Sequence, residues 1–254
     1  METATSFDGT RIAVSRSGTT RGSKPVVLLL HGFASDHVGN WVVPGIVDAL
    51  NARGRTVIAP DARGHGSSDA PHDPEAYAND TLVRDARAVL DTYGVESVDV
   101  VGYSMGALVA ARLAAVDPRT RALVVGGAAG DLRRPKTDSG DGGLAAALLV
   151  ADPDRIAHPV GRAFRDFADR SGADRHALAA FERSTALQYD VDFTAISVPT
   201  LVLIGDRDHR AGSPDALAAH IADARVEVIA GDHLGAPANP AFARALTAFL
   251  DELG

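Results

Sequence analysis

The 254-residue chain contains no cysteine. That excludes disulfides, a thiolate nucleophile and any cysteine-based zinc site. Lysine is nearly missing as well. Lys24 and Lys136 stand alone, and arginine supplies the rest of the 25 basic residues. Against 33 acidic residues the formal net charge is −8. With no basic block, no nucleic-acid partner is expected. No apolar run approaches the ~18 residues of a membrane span. The opening METATSFDGTRIAVSRSG lacks the apolar stretch of a secretory signal, so the expected location is the cytoplasm. There is no G-x-G-x-x-G loop, and no H-x-H or H-E-x-x-H pair. Neither a cofactor nor a metal is therefore expected.

What remains is the composition of a globular protein, 46% hydrophobic and 23% charged, long enough for one large domain or two small ones. Short, β-branched apolar runs recur: PVVLLL (25–30), TVIAP (56–60), VDVVGY (98–103), ALVVGG (122–127), TLVLIG (200–205) and VEVIA (226–230). They read as buried parallel strands. RIAVSRSG reads as an antiparallel edge strand. Helical patterns lie between. Asp80 is placed to cap a helix whose apolar face is Leu82, Val83, Ala86, Val89 and Leu90, with Gly94 ending it. Ser213-Pro214 and Asn239-Pro240 each read as an N-cap followed by proline at the first helical position. Alternation of this kind predicts a doubly wound α/β fold with helices on both faces of a mostly parallel sheet.

Residues 131–195 break the rhythm. A polar, glycine-rich stretch is followed by helical patterns near 144–151, 155–170 and 173–188. They carry Leu144, Leu148, Leu149, Phe164, Phe167, Phe181 and Tyr189. The segment reads either as added core packing or as a helical lid inserted into a core made of 1–130 and 196–254. The lid is favoured, because open α/β sheets bind ligands at the carboxyl ends of their strands. Phe164, Phe167, Leu148 and Tyr189 are then the candidate substrate-binding residues.

Gly102-Tyr103-Ser104-Met105-Gly106 is G-x-S-x-G between a strand and a helix, the context that a nucleophile elbow requires. So tight a turn leaves no room for flanking side chains. It lifts the serine hydroxyl at the strand end, in front of the free N–H groups of a helix N-terminus. An ordinary strand-to-helix turn is the alternative reading of the motif alone.

Further segments favour the elbow. HGFASDHVGNW follows strand PVVLLL, PDARGHGSSDAP spans 60–71, and LVLIGDRD and GDH come later. Taken together they resemble the alpha/beta-hydrolase superfamily over almost the full length, the lid region least. The resemblance implies a Ser-Asp-His triad in that chain order. Ser104 is the nucleophile, and His233, in GDHLGAP just before the last helix, is the base. The family's G-x-x-D spacing from Gly205 gives Asp208 as the acid. Asp206 is then a turn residue, and Asp131 a third candidate. The resemblance also assigns the oxyanion hole to the backbone N–H groups of Phe33 and Met105, whose side chains are expected to line the acyl pocket. It makes His31 structural. Asp61 and Arg63 are expected to hold a turn. His65 lies in the RGHGSS turn, and His37, His72, His158, His176, His209 and His220 lack a matching context.

Serine at position 104 argues against the haloalkane dehalogenases and epoxide hydrolases of this fold, which carry aspartate there. Esterases, lactonases, thioesterases, hydroxynitrile lyases, C–C bond hydrolases and haloperoxidase-like enzymes retain serine. HGFASD lacks the glycine-rich stretch of the meta-cleavage hydrolases and the HGGG of the hormone-sensitive-lipase group. The aromatic content is only 5%, which suits a small or medium substrate. The expected activity is hydrolysis of a small-molecule carboxylic ester through an acyl-enzyme. Lactone, thioester and C–C bond hydrolysis are its variants, and a slow-turnover ligand receptor is the alternative of another class.

Overall fold

The computed structural model describes residues 1–18, 24–129, 143–188 and 191–254. Its strands are β1 (Glu2–Thr5), β2 (Arg11–Ser17), β3 (Val26–Leu30), β4 (Val57–Pro60), β5 (Val98–Tyr103), β6 (Thr120–Gly126), β7 (Thr200–Gly205) and β8 (Ala224–Ile229). They form one eight-stranded sheet in the order β1-β2-β4-β3-β5-β6-β7-β8. Pairing is antiparallel for β1 with β2 and for β2 with β4, and parallel in every other pair. Helices are α1 (Ile46–Ala52), α2 (Thr81–Thr92), α3 (Met105–Val116), α4 (Gly143–Leu149), α5 (Pro159–Ser171), α6 (Arg175–Arg183), α7 (Pro214–Ala218) and α8 (Pro240–Glu252). The fold is the doubly wound α/β architecture that the strand and helix alternation predicts.

The period-two alternation of strand side chains divides the core in two. Leu28, Val98, Val100, Leu123 and Val202 face one layer, packed with Val83 and Val89 of α2 and Val109 of α3. Val27, Leu29, Val101, Val124 and Leu201 face the other, against Leu50 of α1 and Phe242, Leu246 and Phe249 of α8. Helices on both faces explain why the central strands read as continuous apolar runs. The exception is Asp99 in β5, which is buried and held by Arg55 and Arg121 at 2.8 Å. Paired this way, the carboxylate retains compensating charge inside the sheet.

Three readings are corrected. RIAVSRSG forms β2, but β1 lies outside it and takes the edge. Only Ala4 of β1 is buried, so its four residues carry no periodic signal. β8 is the opposite edge, with alternating exposure and Val228 at the surface. VEVIA reads as a buried strand because composition does not report a missing neighbour. Asp80 precedes α2 but makes no capping bond. Its Oδ2 accepts from Arg112 at 3.1 Å instead. The two Pro-N1 caps are present: Ser213 Oγ accepts from Ala216 N–H at 3.3 Å, and Asn239 Oδ1 from Ala241 N–H at 2.9 Å.

Between β6 and β7 the described residues form α4, α5 and α6. Helix α5 begins at Pro159 rather than Arg155, since proline suits the first helical position and His158 supplies the cap. Helix α6 ends at Arg183, and Leu187 adopts φ +61°, outside the helical region. Ala145, Leu148, Ala168, Leu178 and Ala179 join the three helices in a small core of their own. Arg165 is buried within it and donates to the carbonyls of Leu148 and Val150, the bare C-terminal end of α4. This helical segment packs on Phe33 and Ala34 of the loop after β3, at the carboxyl end of the sheet.

Candidate active site

Ser104 sits between β5 and α3 with φ +52° and ψ −113°. A side chain in that region costs ~1–3 kcal/mol and persists only where its surroundings hold it. Here the Ser104 N–H donates to Gly126 O at 2.8 Å, and its carbonyl accepts from Ala107 N–H at 3.0 Å. The flanking glycines are demanded by close approach. A Cβ on Gly102 would stand 2.2 Å from Gly106 O, and one on Gly106 would stand 2.0 Å from Leu30 O. Both obstacles are main chain, so neither can rotate away. Gly106→Ala is therefore expected to destabilise the fold by at least ~1–3 kcal/mol, read as a fall of several degrees in Tm. An unchanged Tm would contradict the packing described here.

The hydroxyl so raised meets two further loops. Ser104 Oγ lies 3.0 Å from His233 Nε2, and His233 Nδ1 lies 2.9 Å from Asp208 Oδ2. Nδ1–H donates to the carboxylate, leaving Nε2 to accept the serine proton. The Asp208 side chain is fully buried. Its Oδ1 accepts from the N–H groups of Arg210 and Ala211, each at 3.1 Å. The turn thus occupies one oxygen and presents the other to the imidazole. Asp206, half-exposed, accepts instead from Gly231 N–H at 2.9 Å and ties the end of β7 to the loop after β8. Asp131 lies outside the described residues.

Several contacts hold this arrangement that sequence patterns did not single out. Tyr103 donates its hydroxyl to His233 O at 2.6 Å. Burial foremost, then the nearby Asp208 and Asp232, push the phenol pKa far up, so it stays a donor. Asn40 Oδ1 accepts from Gly32 N–H at 2.8 Å. A Cβ on Gly32 would lie 3.4 Å from Ser104 Cβ, so the main chain entering Phe33 runs beside the nucleophile. Met105 is the first residue of α3, whose N–H has no acceptor within the helix. Tyr103 ends the run VDVVGY and Asn40 lies in the segment after β3, and only the assembled loops reveal their polar partners.

The histidines and turn residues below the loop are held by internal hydrogen bonds and ion pairs. His31 donates Nδ1–H to Gly32 O at 2.8 Å and accepts from Ala62 N–H at 2.9 Å. Burial lowers its pKa. Burial also pushes His65 down to about 3, so both rings are neutral at neutral pH. His37 donates to Asp61 at 2.7 Å, and that bond raises the pKa of the imidazole. Burial works to raise the Asp61 pKa, but hydrogen bonds from His37 and Ser67 outweigh it and the net shift is down. Arg63 is fully buried and paired with Asp85 and Asp8, each at 2.7 Å.

A cleft of about 640 Å³ opens above Ser104 and His233, with Gly32, Phe33, Tyr103 and Phe167 in its walls. Phe164 also lines it, packed edge-on to Phe33 with ring centroids 5.7 Å apart. Leu148 does not reach the cleft. It is fully buried among α4, α5 and α6, because its face of α4 turns toward the other two helices. The Met105 side chain is likewise buried, lining a small space beneath the sheet's helices with Leu30 and Val109. Helix α3 points it away from the cleft, so it offers its N–H alone. Tyr189 lies outside the described residues.

A sequence model of the alpha/beta hydrolase fold matches residues 25–141. Epoxide hydrolase B of Mycobacterium tuberculosis is 39% identical over 118 residues, 46% of this chain. The chain spans only 32% of that relative's length. Solved structures match far more completely. A hydrolase from Pseudomonas aeruginosa superposes with TM-score 0.80 at 26% identity, covering 98% of this chain and 97% of that one. The enol-lactonase from Burkholderia xenovorans gives 0.74 at 26% identity, covering 98% and 100%. The chain has the alpha/beta hydrolase fold.

Proposed function

We propose that the protein is a serine hydrolase that cleaves small or medium carboxylic esters through an acyl-enzyme, with 131–195 acting as a lid. The observation that carries this is the unbroken hydrogen-bond chain from Ser104 Oγ through His233 to buried Asp208. A serine hydroxyl is a poor nucleophile near neutral pH and needs such a base, oriented by such an acid.

In the proposed reaction Ser104 Oγ attacks the ester carbonyl while His233 Nε2 takes its proton. Asp208 stabilises the imidazolium. Negative charge on the carbonyl oxygen is met by the N–H groups of Phe33 and Met105. One such donor typically contributes ~3 kcal/mol of transition-state stabilisation. His233 then returns the proton to the departing alkoxide. Water, activated by the same histidine, splits the acyl-enzyme to the carboxylic acid and frees Ser104.

Similarity to an epoxide hydrolase makes epoxide opening the competing reading. The nucleophile decides against it. A carboxylate that opens an epoxide leaves an ester, which water can cleave at its carbonyl. A serine hydroxyl would leave an alkyl ether with no carbonyl to attack, and the enzyme would stop after one event. Lactones need no change of mechanism and are the nearest variant, favoured over thioesters and C–C bonds by the likeness to an enol-lactonase. A panel of p-nitrophenyl esters, lactones, thioesters and epoxides tests the reading. Turnover of epoxides but of no ester or lactone would overturn it. Ligand-induced rises in Tm with no turnover of any member would indicate a receptor.

Phe167 faces the cleft from α5 and is half-buried. Phe167→Ala is expected to change selectivity between acyl lengths by ~10-fold or more, the scale of one or two methylenes in a pocket. A kcat/KM series measured with the Tm of each variant checks this. A flat series with a lowered Tm would assign Phe167 to packing instead.

A further inference from the structure

Beside the cleft lies a second hollow of about 600 Å³ that shares Phe164, Phe167, His233 and Leu234 with it. Its wall is apolar except for His233 and Arg210. Val160 and Leu234 are exposed within it, an apolar surface left open to water. The Arg210 guanidinium lies 5.0 Å from the centroid of the Phe164 ring, within cation–π range. Arg210 is exposed, and among the described residues its side chain makes no ion pair. Other arginines near the sheet are tied: Arg55 and Arg121 to Asp99, Arg63 to Asp85, Arg119 to Asp117. In a chain of net charge −8, an anionic substrate meets general repulsion and needs a local cation.

The side of the cleft identifies what enters the hollow. His233 lines it and Ser104 does not. During ester cleavage Nε2 must reach the leaving oxygen to protonate it, so the alcohol extends past the imidazole, away from the acyl carbon. We propose that the hollow receives the leaving alcohol and that Arg210 binds a carboxylate carried by it. The substrate is then the ester of a hydroxy acid, acylated on its hydroxyl, with its hydrocarbon part against Val160, Phe164 and Leu234. This rests on the ester-hydrolase reading above. Ser104 Oγ bonds to the acyl carbon, the acyl–oxygen bond breaks, and His233 gives its proton to the alcohol oxygen. The released hydroxy acid keeps its negative charge at Arg210, and water removes the acyl group. Guanidinium suits this role because its fork matches a carboxylate with two parallel bonds.

The test compares anionic and neutral leaving groups of one shape: 4-acetoxybenzoate against 4-acetoxybenzamide, and 6-acetoxyhexanoate against 6-acetoxyhexanamide. The readout is the ratio of kcat/KM within each pair. In at least one pair the wild type should prefer the anion. Arg210→Ala should lower that ratio ~10-fold or more, the scale of a hydrogen bond to a charged group. Arg210→Lys should fall between the two, and Arg210→Glu should favour the amide. The main-chain bond from Arg210 to Asp208 survives each substitution. Ratios that match between wild type and Arg210→Ala in both pairs overturn the proposal. An Arg210 effect confined to an anionic acyl group, read with mono-4-nitrophenyl glutarate against 4-nitrophenyl valerate, overturns the leaving-group placement. Calorimetric titration with 4-hydroxybenzoate reads the site without turnover. Arg210-dependent binding with no ester cleaved leaves the carboxylate site standing and removes the ester-hydrolase reading. Ester cleavage with no dependence on Arg210 does the reverse.

Discussion

Ser104→Ala is expected to abolish ester turnover, with a fall in kcat on the order of 10⁶-fold, the scale for removing the nucleophile of a serine triad. The fold should remain. The main-chain bonds to Gly126 and from Ala107 do not use the hydroxyl, and alanine keeps a side chain of nearly the same size at the elbow. A fluorophosphonate probe should label the wild type and leave the variant unlabelled. Labelling that persists in Ser104→Ala would place the reactive nucleophile elsewhere. Loss of labelling with an unchanged Tm is the outcome that the elbow geometry requires.

Asp208→Asn should lower kcat on the order of 10⁴-fold, while Asp206→Asn should lower it by far less. The two side chains stand two residues apart, but their partners differ. Asp208 accepts from His233 at 2.9 Å and is sealed from water. An asparagine there offers the imidazole an N–H or a weaker, neutral acceptor. The tautomer with Nδ1–H loses its anchor, and the imidazolium loses its counter-charge. Asp206 bonds only to main chain and to Arg207 on its exposed side. Asparagine reproduces the main-chain bond, so the cost there is a small loss of turn stability. Measuring kcat and Tm for both variants separates the roles. Similar, small effects from both would move the acid to another residue, Asp131 among them.

The turn at Ser104 and the central strands are legible in the sequence, and the reason is local. The elbow is a contiguous stretch, and its glycines are demanded by contacts that the strand-turn-helix itself creates. Gly102 meets Gly106, and Gly106 meets the strand beside it. The central strands were legible because burial on both faces leaves an unbroken apolar run. Proline and an oxygen-bearing residue marked the starts of α7 and α8 by chemistry confined to neighbours. The edges of the sheet were less legible. Whether a strand has a neighbour is set by residues far away in the chain, and neither β1 nor β8 carries that information in its own composition.

Contacts across long sequence separations belong to the tertiary structure alone. Phe164 and Leu148 are both apolar residues on amphipathic helices, and pattern alone made both cleft candidates. Packing of α4 against α5 and α6 turned Leu148 into the small core and left Phe164 at the cleft. Arg210 lies in the turn after β7, two residues past Asp208. Its place over Phe164, at the mouth of an apolar hollow beside His233, arises because a loop after β7 and a helix before it close on each other. The sequence by itself determined the tight turn at Ser104 and the alternation of strands and helices, since these follow from sterics and periodicity over a few residues. Only the tertiary structure decided which aromatic side chains face the cleft and where the Arg210 guanidinium stands. Those depend on the relative placement of elements up to a hundred residues or more apart, as in the 129-residue separation between Ser104 and His233, and no local rule encodes that placement.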